Sequence, residues 1–376
     1  MSDLLHRNGR RLARLGHWQF VLRPRLAALW AVGVLALALL AAAVLPLGPF
    51  ETLAGGGTAA SAPASTAAPA TSAADAATGP AVHGEAETEA ETLAELRHMI
   101  WRDFRLPRIL AALLVGAMLG LAGAALQTLA RNELADPGLV GVKEGAAVAV
   151  IAVALLAPQL ASGWRTAAGL AGGLAVALLV AALSRDLTRV RFILVGIGVS
   201  WLLHAAIAIF TTTADLQDVQ TALIWMAGSL HAASWPTLAA TAPWAAVGLL
   251  LLLASSRAAD VASLGPGVAA GLGVNLRRLH ALRLLAACLL TAAAVAAVGS
   301  LGFVGLVAPH LSRLSLGGRQ LALLAGSGLY GAALVLAADS IGRLAFAPLQ
   351  IPAGIVMAII GVPVLLALLW RRRDQL

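Results

Sequence analysis

The sequence predicts an all-α polytopic membrane protein, and three observations predict it. Of the 376 residues, 60% are hydrophobic and 12% are charged, more apolar surface than one soluble domain of this length can hide. The apolar residues recur in runs near the ~20 residues that cross a bilayer as a helix. The ~10-residue alternation of a membrane β-barrel is missing. Backbone groups in lipid must pair within their own segment, so helices are the expected form.

Taken in order, residues 1–25 form a basic, cytoplasmic amino terminus carrying Arg7, Arg10, Arg11, Arg14, Arg23 and Arg25. The apolar run 26–47 follows as a first transmembrane helix. A cleaved signal peptide competes with this reading, but the run exceeds the ~7–15 residues of a signal core. Residues 48–100 form an outer loop. Within it, 54–92 is rich in Ala, Gly, Ser, Thr and Pro and then acidic at Glu85, Glu87, Glu89 and Glu91. Such a segment buries no core and reads as a disordered insertion. From 101 to 373 the pattern returns, with crossings near 107–126, 142–157, 166–184, 192–212, 237–254, 284–299, 303–316, 320–341 and 353–370. The total is about ten helices, with both termini cytoplasmic.

Charge supports this topology. With the amino terminus inside, inner segments hold 20 of the 26 Lys and Arg residues and outer segments hold six: Arg97, Arg102, Arg105, Arg108, Arg165 and Arg343. Positive charge is retained on the cytoplasmic side in this way. Trp101, Trp164, Trp235 and Trp370 fall near helix ends, as interfacial anchors do. The net charge of +8 thus belongs to membrane topology, and nucleic acid is not an expected partner. The one cysteine, Cys288, cannot form an intrachain disulfide.

Few residues offer catalytic chemistry. Lys143 is the only lysine, preceded by Val142 and followed by Glu144, so it belongs to no Walker A phosphate loop, which needs Gly-Lys-Ser/Thr. No Cys/His metal cluster and no nucleophile–base set is evident. An enzyme is not expected, nor a cofactor in this chain. His204, His231 and His310 are lone histidines and weak ligand candidates.

Polar motifs mark the helix ends. Arg105 and Arg108 flank Pro107 at the outer mouth of the second crossing, and Arg343 stands at the outer end of the ninth. Asp339 lies four residues before Arg343, so an i,i+4 structural pair is expected. A proton-coupling role for this intramembrane acid is the alternative. The inner loop Arg131-Asn132-Glu133-Leu134-Ala135-Asp136-Pro137-Gly138 is rich in helix breakers. The inner stretch 259–283 contains Leu264-Gly265-Pro266-Gly267 and Gly271 to Arg278, which favours short Gly-bounded helices over a continuous one. Gly302-Phe303-Val304-Gly305-Leu306-Val307-Ala308-Pro309-His310 reads as a short half crossing.

Together, the Arg-Leu-Pro-Arg run, the 131–138 loop and the 302–310 segment resemble the permease subunits of type II ABC importers for iron-siderophore, heme and cobalamin chelates, the FecCD/BtuC-like family. The resemblance spans Leu26 to Arg373, apart from the 54–92 insertion. It implies a permease fold at the bacterial inner membrane, working with a second permease copy or paralogue. Two ATP-binding cassette subunits would use the ATP. A periplasmic substrate-binding protein would dock on Arg105, Arg108 and Arg343. Asn132, Leu134, Asp136, Pro137 and Gly138 would form a cytoplasmic gate. The family commonly carries Pro where this chain has Glu133. Residues 188–193 match a second narrowing of the pathway. Leu264, Gly265, Gly267, Gly271, Gly273, Val274, Arg277 and Arg278 would form the coupling loop against the ATPase. Residues 222–230 are most similar to siderophore-type members, so a ferric siderophore is the expected cargo, with heme and cobalamin behind it. An ion-coupled secondary transporter using Asp339 is the rival of another class.

Overall fold

A computed structural model describes residues 92, 95–156, 162–184, 190–316, 319–345 and 349–372. The basic amino terminus, the first crossing at 26–47 and nearly all of the 54–92 insertion lie outside the described residues. The described chain is helical: α1 (Leu106–Ala130), α2 (Val142–Leu156), α3 (Ser162–Ser184), α4 (Val190–Thr213), α5 (Leu216–Met226), α6 (Trp235–Ala254), α7 (Ser256–Ala262), α8 (Pro266–Gly271), α9 (Leu276–Val298), α10 (Val304–Leu316), α11 (Gln320–Leu344) and α12 (Ala353–Arg372). A π-helical turn, Trp101–Arg105, leads into α1. Each expected crossing after the first is matched by one helix. Among the described residues six helices are long and apolar enough to span a membrane, so the chain is a multi-pass membrane protein. As described, α10 has 13 residues, about 20 Å at 1.5 Å per residue, short of a ~30 Å hydrocarbon core.

The core is built around α1 and α9, whose apolar windows are 72% and 78% buried; α4 is only 11% buried. In lipid the hydrophobic effect does not drive helices together, so small residues and close backbone contact must do so. The α1–α11 seam shows this device. A Cβ placed on Gly116 would collide with the Gly331 carbonyl, and one on Gly331 with the Gly116 carbonyl. The α1–α10 crossing works likewise, because Gly123 lies against the Gly305 backbone. Ala112, Ala122, Ala124, Ala292, Ala293 and Ala338 fill the layers between these helices.

Hydrogen bonds divide the loops between two ends of the bundle. At one end Arg108 reaches Asp339 and Gln350, and the Trp235 indole N–H donates to the Arg102 carbonyl. At the other end Arg313 bonds Gln127, and the Gln320 N–H donates to Asp260. Residues that the charge pattern assigned to one side of the membrane therefore meet at one end. Trp101, Trp164, Trp235 and Trp370 are exposed near helix ends, where lipid headgroups are met.

Candidate functional site

At the Asp339 end the structure changes one expectation. The partner of Asp339 is Arg108, not Arg343. Arg108 Nε lies 2.9 Å from Oδ2 and Nη2 lies 2.9 Å from Oδ1, a bidentate pair. Its Nη1 donates to Gln350 Oε1 at 3.0 Å. The side chains are 16% and 8% exposed. Spacing i,i+4 permits contact along one helix, but the two parallel bonds of a guanidinium fork reach across to α11 and fit the carboxylate better. Arg108 is thereby occupied. Arg343 remains half-buried, with a buried Nε that finds no hydrogen-bond acceptor among the described residues. Arg105 is half-buried nearby.

The opposite end carries the loop between α1 and α2. Arg131 ends α1 in the left-handed conformation, φ 50°, with its N–H on the Gln127 carbonyl. Only Gly, and less often Asn, takes that conformation at ease. Asn132 Oδ1 accepts from the Leu134 N–H at 2.9 Å, and Asp136 Oδ1 accepts from the Gly138 N–H at 2.7 Å. Two Asx turns thus fold the breaker-rich run, and Pro137–Val140 forms a 3-10 turn. Pro137 and Asp136 abut Gly305 at the start of α10, and Glu133 Oε2 stands 3.7 Å from His310 Nδ1. Burial pushes the Asp136 carboxyl above its ordinary 3.8; the Gly138 N–H and the charge of Lys143 oppose that shift.

Gln127 fastens this loop to α10, a role the sequence alone did not disclose. Pro309 has no N–H, so the Gly305 carbonyl loses its partner within the helix. The buried Gln127 Nε2 donates to Gly305 O at 3.2 Å and Leu306 O at 3.3 Å, and its Oε1 accepts from Arg313. The available signal was a lone amide in an otherwise apolar run. Phe303, just before α10, has φ 65°, a conformation that persists in a non-glycine residue only when its surroundings enforce it.

Beside the loop lies a cavity of about 490 Å³. Leu134, Asp136 and Gly138 from the loop line it, with Lys143 and Glu144 from α2 and Ser200, Trp201 and His204 from α4. Phe303, Leu306 and Leu365 close its apolar side. The structure brings together three of the five proposed gate residues and adds Lys143, Glu144 and His204, which sequence reasoning had not joined. They come from separate helices, so no local spacing could have connected them.

The 259–283 stretch folds as expected into two short helices, α7 and α8, hinged at Gly265, φ 111°, and Gly273, φ 80°. Asn275 caps α9 by accepting from the Arg278 N–H at 3.0 Å. Leu264, Val268 and Leu272 are exposed together with Gly267, Gly271, Arg277 and Arg278, while Val274 is half-buried. An apolar face at the tip of a hinged loop is suited to a protein partner.

Close-packed spans, a polar turn bound to a short proline-containing helix, and a cavity between them define a multi-pass membrane protein of transport type. The chain belongs to the FecCD transport family, whose model matches residues 64–371. Over 278 residues it is 37% identical to an iron(3+)-hydroxamate import system permease protein of Bacillus subtilis, covering 72% of this chain and 83% of the relative. Over 282 residues it is 38% identical to a hemin transport system permease protein of Yersinia pestis, covering 73% and 84%. A solved structure described as a metal-chelate type ABC transporter in an inward-facing conformation superposes with a TM-score of 0.68 at 30% identity, covering 74% of this chain and 89% of that one.

Proposed function

We propose that the chain is the membrane-spanning permease subunit of a type II ABC importer that carries a ferric siderophore across a bacterial inner membrane. The observation that carries this reading is the 131–141 turn, fastened to α10 through Gln127 and opening on the cavity, in a chain of the FecCD transport family. In this reading about ten helices span the membrane and both termini are cytoplasmic. Two copies, or this chain and a paralogue, flank one pathway. Two separate ATPase subunits seat against the α7–α8 loop, and rigid-body movement of that loop drives the gate at Asn132, Leu134, Asp136, Pro137 and Gly138. A periplasmic binding protein docks at the Arg105–Arg343 end. Arg108 serves docking less than its neighbours, since Asp339 holds it. That same pairing speaks against Asp339 as the coupling acid of a secondary transporter, which would need a free carboxylate. Heme is the second cargo reading, supported by the hemin relative.

Deletion of the gene, followed by uptake of labelled ferric siderophores, heme and cobalamin, tests the proposal. Loss of one ferric siderophore alone is the expected result. Loss of heme or cobalamin alone would reassign the cargo. Undiminished uptake of every compound in cells without a second such system would overturn it.

A further inference from the structure

The charged residues of the cavity do not balance. Two carboxylates, Asp136 and Glu144, share it with a single lysine. Asp136 is engaged by the Gly138 N–H. Glu144 is buried, its side chain 6% exposed, and Lys143 Nζ approaches Oε1 only to 3.7 Å, beyond hydrogen-bond reach. His204 Nδ1 stands 4.0 Å from the same oxygen. Among the described residues Glu144 Oε2 has no hydrogen-bond partner. A buried carboxylate oxygen without a donor is costly. A hydrogen-bond donor reaching it from the cavity, preferably a cationic one, would satisfy that oxygen.

We infer that Glu144 is a recognition carboxylate for a protonated amine borne by the transported chelate. The inference rests on the importer reading above and names a feature of its cargo. A volume of about 490 Å³ lies within the ~300–1,000 Å³ range of small-molecule sites, which are mainly apolar with a few placed polar groups. Trp201 and Phe303 also line it, and aromatic faces attract an ammonium. An anionic group is disfavoured, because the one lysine already answers to two acids. A bare metal ion is disfavoured too: among the described residues no three His, Cys, Asp or Glu side chains come together as a ligand set. Lys143 beside Glu144 keeps the station shallow, which suits a pathway that must release what it holds.

The test uses the permease–ATPase complex in lipid nanodiscs without binding protein. Two probes are compared: radioiron-loaded ferric desferrioxamine B, which bears one free ammonium, and its N-acetylated form, which bears none. The ammonium form is expected to bind about tenfold more tightly, the worth of one charge-assisted bond. Glu144→Gln should erase that preference. Lys143→Met should strengthen it by removing the competing cation, a gain that a damaged fold would not produce. Equal binding of the two forms, binding of neither, a preference that survives Glu144→Gln, or a preference weakened by Lys143→Met would each overturn the inference. ATP-driven uptake in reconstituted vesicles separates the two readings. Uptake with equal binding overturns the ammonium site alone, and the preference without ATP-driven uptake overturns the importer.

Discussion

The two ends of the helix bundle treat buried charge in opposite ways. At one end Asp339 receives both arms of the Arg108 guanidinium, and Gln350 takes the remaining Nη1. At the other, Glu144 meets Lys143 and His204 only at 3.7 and 4.0 Å and keeps one oxygen unpartnered among the described residues. Both sites place a carboxylate on an apolar helix, which is costly in a membrane. The first carboxylate is matched and ties α1 to α11. The second makes no such pair and lines the cavity. A satisfied charge fastens helices; one left unsatisfied beside a cavity is where the proposed ammonium would bind.

Breaking the satisfied end gives the largest effect. Asp339→Ala leaves the half-buried Arg108 without its carboxylate, with Gln350 as its remaining partner among the described residues, and should cost about 3 kcal/mol, read by denaturant unfolding of the complex in detergent. Arg108→Met combined with Asp339→Leu should recover most of that loss; full retention of the loss would show that the pair is not its source. At the other end, Gln127→Ala strands the Gly305 carbonyl and takes one acceptor from Arg313. A cost of about 2 kcal/mol is expected, along with increased hydrogen exchange in the 131–141 turn.

Surface changes should spare stability and show in coupling. Leu264→Asp with Leu272→Asp lies on exposed positions, so the fold should shift by no more than about 0.5 kcal/mol. Transport per ATP hydrolysed should nevertheless fall about tenfold; unchanged stoichiometry would remove the α7–α8 loop from the coupling path. Arg105→Glu, at a half-buried position, should weaken binding-protein capture by roughly threefold at low salt and less at high salt, as charge pairs at an interface rim do. An effect that ignored ionic strength would argue for a packing role.

The smallest effect concerns Asp136. Its carboxyl is raised above 3.8 by burial, so the folded state keeps its proton after the unfolded chain has lost it. Stability should therefore fall as pH rises from about 3.8 through the folded value. Asp136→Asn keeps the acceptor for the Gly138 N–H and should flatten that slope; an unchanged slope would place the titration elsewhere.

Much of this could be read from the chain itself. The spans from 106 to 372 follow the apolar runs because each helix in lipid must satisfy its own backbone, which makes length and hydropathy sufficient. The breaker-rich loop and the two Gly-hinged helices were equally legible, since Asx turns, proline and positive-φ glycine act over a few residues. Charge asymmetry also sorted the loops into two groups, and these are the groups that meet at the two ends.

Partners across helices were not legible. Asp339 has Arg343 one turn away in sequence, yet it binds Arg108, 231 residues distant. Gln127 serves a carbonyl freed by Pro309, and Glu144 faces His204, each on another helix. The sequence by itself determined which of the described segments are apolar helices and where the chain turns, because those depend on local backbone chemistry. Only the tertiary structure decided which charges are matched and which is left open, because that depends on how glycine-lined helices rotate and approach one another. The cavity beside Glu144 is a product of that packing.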